Sequence, residues 1–143
     1  MISFFVYTLI PLVVGIISSL LTNMDTYSMV NKPPLSPPSI VFPIVWTILY
    51  LLIGYSSYRV RNDKESLKLF YTSLAINGIW SIVFFNLKNY LGGFILIVIL
   101  IALEIFILIR FKNEDELSYK LNIPYLIWLI FASYLSLGVY ILN

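Results

Sequence analysis

The chain has 143 residues, of which 60% are hydrophobic and only 11% charged, with a formal net charge of +2. A soluble domain carries about a quarter charged residues, so this composition excludes a water-soluble globule and a disordered segment alike. With neither Cys nor His, it also excludes a disulfide framework, thiolate or imidazole metal sites, a histidine-ligated haem and a Ser-His-Asp triad, and the small, dispersed charge gives no nucleic-acid footprint.

Five apolar stretches follow in chain order: Ile2 to Thr22, Ser39 to Tyr58, Leu69 to Leu87, Asn89 to Ile109 and Leu121 to Asn143. Crossing a hydrocarbon core of about 30 Å takes roughly 20 helical residues, and each stretch is of that length. Together they take 104 of the 143 residues. The fold class is therefore all-α, an integral membrane bundle of five transmembrane helices forming a single domain over residues 1–143. No basic residue precedes the first stretch and no small-x-small cleavage site follows it, so it reads as a retained helix rather than a signal peptide.

Short connections make the spans alternate in direction. The second and fourth loops hold Arg59, Arg61, Lys64, Lys68, Arg110, Lys112 and Lys120, whereas the first and third hold only Lys32 and Lys88. By the positive-inside rule the N-terminus lies in the cytoplasm and the C-terminus outside, in an assumed bacterial cytoplasmic membrane. Small residues four apart occur at Gly15 with Ser19 and at Ala132 with Ser136. Such pairs let helices approach closely, either within one subunit or at a dimer face.

Lys32-Pro33-Pro34-Leu35-Ser36-Pro37-Pro38 lies in the first loop. Its four prolines fix φ and bias the preceding residues toward extended geometry. The loop from Asn23 to Pro38 is thus expected to be a stiff strap, long enough to lid the bundle mouth. Pro11 is expected to kink the first helix, while Pro43 and Pro124 are expected near the starts of theirs, where proline is tolerated.

Aromatic residues recur at helical spacing on three spans. Trp46, Tyr50 and Gly54 share one stripe, as do Asn77, Trp80 and Phe84, and again Tyr125, Trp128 and Ala132. Trp46 and Trp80 lie about 10 Å below the outer surface and Trp128 near mid-depth, too deep for an interfacial belt. Two readings stay open: rings packed in the core or against lipid, and a flat aromatic-lined cavity beneath the strap with Asn77 as its polar group. Glu104 is the one ionisable residue well inside a span. Either it snorkels or protonates, or it serves a proton-coupled function.

The stretch Asn31 to Tyr50, NKPPLSPPSIVFPIVWTILY, resembles the TspO/MBR family of tryptophan-rich sensory and translocator proteins. The likeness continues through Gly54-Tyr55-Ser56-Ser57-Tyr58, Asn77-Gly78-Ile79-Trp80 with Phe84-Phe85, and Pro124-Tyr125-Leu126-Ile127-Trp128 with Phe131-Ala132-Ser133. This resemblance implies a five-helix bundle, usually a homodimer in the lipid bilayer, that binds protoporphyrin IX and benzodiazepine- or isoquinoline-type ligands under the first loop. No cofactor or metal is required. By motif position Trp46, Asn77, Trp80, Trp128 and Ala132 line the implied pocket, joined by Tyr27 in the strap. Trp46 and Trp128 match tryptophans associated in the family with light- and oxygen-dependent porphyrin breakdown, which makes them the candidate catalytic residues. Porphyrin degradation and transport of a porphyrin or another lipophile are the alternatives to a sensory or regulatory binding role. Leu35 stands where the family often has Trp, Leu96 near the position of a common acidic residue, and no basic residue follows Leu137, Val139 and Tyr140, so the sterol motif is incomplete.

Overall fold

The computed structural model describes residues 1–22 and 25–143, apart from the side chain of residue 26. Six α-helices follow in order: α1 Ile2–Leu21, α2 Asp25–Met29, α3 Val41–Arg59, α4 Lys64–Ser81, α5 Tyr90–Glu114 and α6 Glu116–Leu142. A π-helical turn, Ile82–Asn86, continues α4. Five of these helices are long and apolar enough to cross a membrane, with α4 and its π turn acting as one span. Residues 23 and 24, the first two of the strap, lie outside the described residues.

Two helices begin earlier than their hydropathy indicates. The Asp63 side chain accepts from the Ser66 backbone N–H at 3.2 Å and from its hydroxyl at 2.6 Å, so α4 starts at Lys64 rather than Leu69. Asp115 accepts from the Ser118 N–H at 3.0 Å in the same way, so α6 starts at Glu116 rather than Leu121. Both are N-caps that satisfy donors the first turn leaves orphaned. One expectation is overturned as a result: Pro124 lies inside α6, in its third turn, and not near a helix start. Its ring leaves the Lys120 carbonyl without a helical partner. Pro11 does the same to Tyr7 within α1.

Packing runs in a closed ring, α1 against α3, α3 against α6, α6 against α5, α5 against α4, and α4 back to α1. The α1–α3 contact depends on Gly54, where a Cβ would sit 2.2 Å from the Thr8 carbonyl oxygen. Gly15 plays the matching role from α1, since a Cβ there would lie 2.3 Å from the Tyr50 ring. Ala132 and Ser136 are buried inside the chain. Of the small-residue positions, Gly15, Ala132 and Ser136 thus serve packing within the subunit.

At the end of the bundle opposite the strap, the two capping aspartates are each held by an arginine from another helix. Arg110 on α5 donates to Asp63 through Nε and an Nη, both at 2.8 Å. Arg59 at the end of α3 donates to Asp115 at 2.6 and 3.1 Å. The two pairs tie the α3–α4 and α5–α6 connections to the bundle. Hydrogen bonds from Arg110 and Arg59 hold both carboxyls below the ordinary carboxylate range, Asp115 down to about 2.

A carboxyl whose pKa is depressed on folding stabilises above its unfolded value, about 3.9 for Asp, and that contribution disappears as pH falls through the folded value. The melting temperature is therefore expected to drop as pH is lowered from about 4 toward 2. Asp63→Asn and Asp115→Asn are expected to lower the neutral-pH melting temperature and flatten that acid limb. Thermal denaturation in detergent across this range checks both, and an unchanged acid limb in both variants would refute the assignment.

Candidate functional site

The strap brings Tyr27, on α2, over the end of the bundle. Tyr27 is buried, its ring meets Phe42 at 4.9 Å edge-on, and its hydroxyl donates to the Pro37 carbonyl. Burial lifts its phenol above the usual value, opposed by the Ser36 hydroxyl. Lys32 folds back under this ring, 4.8 Å from its centroid, with Nζ donating to the carbonyls of Tyr27 at 2.9 Å and Val30 at 3.2 Å. The proline stretch is also fixed to α6. Tyr134 donates to the Pro34 carbonyl at 2.6 Å, Asn143 and Asn31 exchange hydrogen bonds at 2.8 and 3.1 Å, and Pro33 rests on Gly138.

A Cβ on Gly138 would lie 2.4 Å from the Pro33 ring, which has no rotamer to yield. Gly138→Val is expected to lift the strap and speed exchange of the Asn31 amide by about tenfold or more, as a locally opened segment does. Amide hydrogen exchange measures it, and unchanged protection would show the contact to be dispensable.

Below the strap the tryptophans from three helices converge. Trp46 on α3 is the hub. Its ring centroid lies 6.2 Å from Trp80 on α4, 6.1 Å from Trp128 on α6 and 6.3 Å from Tyr125, and it stacks on Tyr50 at 5.3 Å. Trp80 stacks in turn on Phe84 at 5.6 Å, and Phe42 closes the far side of Trp128 at 6.0 Å. The rings therefore face one another rather than the acyl chains.

Space around these rings is divided unequally. Directly beneath the strap, Tyr27, Trp46, Trp80, Phe84, Trp128 and Ala132 line a gap of only about 20 Å³. The larger space, about 210 Å³, lies to one side between α1, α3 and α4, where Trp46, Tyr50, Asn77 and Trp80 meet Leu12, Gly15 and Ser18 of α1. A roomy chamber under the lid is thus corrected to a nearly filled one, because stacked rings occupy it. Trp46 and Trp80, with Phe42 and Phe85, border both spaces. Tyr125 lines neither and stands behind them.

Sequence reasoning missed the α1 wall and the Phe42 and Phe85 contacts. Only the Gly15/Ser19 spacing hinted at the wall. Ser19 and Thr22, both on its rim, donate their hydroxyls to the Ile16 and Ser18 carbonyls of the same helix.

A single polar line crosses this aromatic core. The Tyr50 hydroxyl donates to Asn77 Oδ1 at 2.6 Å, and Asn77 Nδ2 donates to the Tyr125 hydroxyl at 2.8 Å. Glu104, on α5, is the one buried carboxylate among the described residues. Its side chain is 1% exposed and its Oε1 has no hydrogen-bond partner among the described residues. Snorkelling is excluded by that burial, since the side chain turns into the bundle rather than along it toward water.

The TspO/MBR family model matches residues 7–142. The chain belongs to the TspO/MBR family. Among similar proteins, the tryptophan-rich protein TspO of Archaeoglobus fulgidus is 36% identical over 140 residues, covering 92% of this chain and 91% of that one. Protein CrtK of Rhodobacter capsulatus is 34% identical, covering 82% and 78%. The translocator protein of Sus scrofa is 28% identical, covering 94% and 86%. Family membership and five apolar helices together make this an integral, multi-pass membrane protein of the TspO type. Trp46, Asn77, Trp80 and Trp128, picked out by motif position in this TspO/MBR chain, meet in one contiguous cluster.

Proposed function

We propose that this TspO-type protein binds a planar, largely apolar ligand, with protoporphyrin IX the leading candidate and benzodiazepine- or isoquinoline-type molecules also accommodated, and that it serves a sensory or regulatory role. The observation that carries this reading is the meeting of three indoles from three helices beside a cavity with almost no charge in its walls. A flat aromatic body buries large apolar area there, and each aromatic pair adds about 0.5 to 1.5 kcal/mol beyond burial. Ligand sites generally run to about 300–1,000 Å³, so a macrocycle needs more than the 210 Å³ present. Binding then goes with separation of α1 from α4, the loosest contact of the ring. The N-terminus inside, the C-terminus outside and a homodimer in the bilayer belong to the same proposal.

Titration of the purified protein with protoporphyrin IX, followed by tryptophan quenching and the Soret band, tests it. Trp46→Phe and Trp128→Phe are expected to weaken binding by about three- to tenfold, the worth of one aromatic contact. Equal affinity in both variants and the parent chain would move the site elsewhere.

The 6.1 Å contact between Trp46 and Trp128 favours a second reading, in which these rings supply an electron to a photoexcited porphyrin in the presence of oxygen. Faster Soret bleaching under illumination with protein than without supports it, and equal bleaching removes it.

A further inference from the structure

The end of the bundle opposite the strap carries more positive charge than its own carboxylates neutralise. There Asp63 is held by Arg110 and Asp115 by Arg59, Glu114 stands 3.9 Å from Arg110, and Glu116 stands 3.8 Å from Lys120. Glu65 is the carboxylate left over at this end, against Arg61, Lys64, Lys68 and Lys112, none of which forms an ion pair among the described residues. Three of these cations follow one another in the chain, Arg61 in the α3–α4 connection and Lys64 and Lys68 on the first turns of α4. Both lysines are exposed and Arg61 is half-buried.

Arg61 is nonetheless fixed in place. Its guanidinium carbon lies 4.1 Å from the centroid of the Tyr58 ring, and Nη1 donates to the Tyr58 carbonyl at 2.9 Å. A guanidinium seated this way keeps its other N–H groups for an oxyanion. Tyr58 in turn belongs to a second aromatic cluster, separate from the tryptophans. It stacks on Tyr55 at 6.2 Å, and Phe4 of α1 meets both rings edge-on, Tyr58 at 5.5 Å and Tyr55 at 5.6 Å.

Position decides what occupies this corner. Tyrosines with basic neighbours at the ends of apolar spans mark the headgroup level of a bilayer. Next to them α1 presents Phe5, Val6 and Leu9 outward, an exposed apolar flank that acyl chains can cover. Neither cavity described above reaches Arg61, Lys64 or Lys68, so a soluble anion would meet these cations on an open surface. A phospholipid satisfies both halves of that surface at once, its oxygens on the cations and its chains on the flank. Unpaired cations also favour a net-negative headgroup over a zwitterionic one, whose ammonium they repel.

We infer that Arg61, seated on Tyr58 and joined by Lys64 and Lys68, forms a binding site for the phosphate of an anionic phospholipid in the leaflet at this end of the bundle. The site is independent of the planar-ligand reading and lies at the opposite end from the strap.

Native mass spectrometry of the full chain released from detergent, after titration with dioleoyl phosphatidylglycerol or dioleoyl phosphatidylcholine, reads the affinity for the first bound lipid. Phosphatidylglycerol is expected to bind about fivefold or more tightly, the worth of one basic residue at a charged membrane surface. Arg61→Gln is expected to remove most of that preference, and Lys64→Gln with Lys68→Gln to reduce it, while phosphatidylcholine binding and the melting temperature in detergent report that each variant is folded. Lys112→Gln, which removes an unpaired cation of the same end from α5, is expected to leave the preference unchanged. Equal affinities for the two lipids in the parent chain, or a preference that survives Arg61→Gln, overturn the site. A loss in Lys112→Gln as large as that in Arg61→Gln would show a diffuse field rather than a site, and overturns it equally. Release of the bound phosphatidylglycerol by millimolar inorganic phosphate would assign the cations to a soluble anion and overturn the lipid as their occupant.

Discussion

Gly54→Val is expected to cost about 3 kcal/mol or more, at the top of the range for forcing extra atoms into a packed interior. The reason lies in what the new side chain meets. A Cβ at position 54 would stand 2.2 Å from the Thr8 carbonyl oxygen and 2.9 Å from its carbon. These are backbone atoms of α1 and cannot rotate away. Relief requires α1 to move off α3, and α3 is its main partner in the ring. Gly78→Ala supplies the contrast, since its Cβ meets only the Ser18 hydroxyl at 3.2 Å, an atom that a small rotation displaces. That change is expected to shift stability by less than about 1 kcal/mol. Thermal melts of both variants in the same detergent measure the difference, and a Gly54→Val protein as stable as Gly78→Ala would show that the close approach of α1 and α3 is not required.

Asn77→Leu is expected to cost about 2 to 4 kcal/mol, because one amide serves two buried hydroxyls. Removing it deprives Tyr50 of its acceptor and Tyr125 of its donor, and neither tyrosine is more than 7% exposed. Leucine matches the volume, so the loss is one of pairing rather than packing. The double change Asn77→Leu with Tyr50→Phe is expected to recover about 1 kcal/mol of the single variant's loss, since the stranded hydroxyl is then gone. A four-corner cycle of melts separates these contributions. An Asn77→Leu chain that melts with the parent would mean the polar line contributes nothing to the fold.

How far the residues foretold this arrangement differs from element to element. The five spans followed from apolar length alone, because a bilayer core dictates how many residues a crossing takes. The starts of α4 and α6 did not, since hydropathy cannot see a polar first turn. The signal was nonetheless there in Asp63-Lys64-Glu65-Ser66 and Asp115-Glu116-Leu117-Ser118, each an aspartate capping a serine three residues on. Reading those caps would have placed Pro124 inside α6. The tryptophan stripes were legible because helical spacing puts Trp46 with Tyr50, Trp80 with Phe84 and Trp128 with Ala132. Whether stripes from different helices meet is a matter of inter-helix rotation, which spacing within one helix does not encode. The same holds for Glu104, whose depth was readable and whose inward direction was not. The volume of the gap was beyond reach for another reason: it is the small remainder after several large rings have packed, and a remainder of that kind depends on every rotamer at once.

Of the twenty residues in α1, Pro11 is the buried one, and the helix leans on α3 and α4 as the outer wall of the 210 Å³ space. The α5–α6 hairpin, the ion pairs at the far end and the fixings of the strap all involve other parts of the chain. Swinging this stave away from α4 about its seam with α3 would therefore unseal the barrel on its flank and leave the rest of the frame standing. A guest dissolved among the lipid tails would arrive sideways at the depth of Trp46 and Trp80, without passing through the headgroups or displacing the prolines overhead.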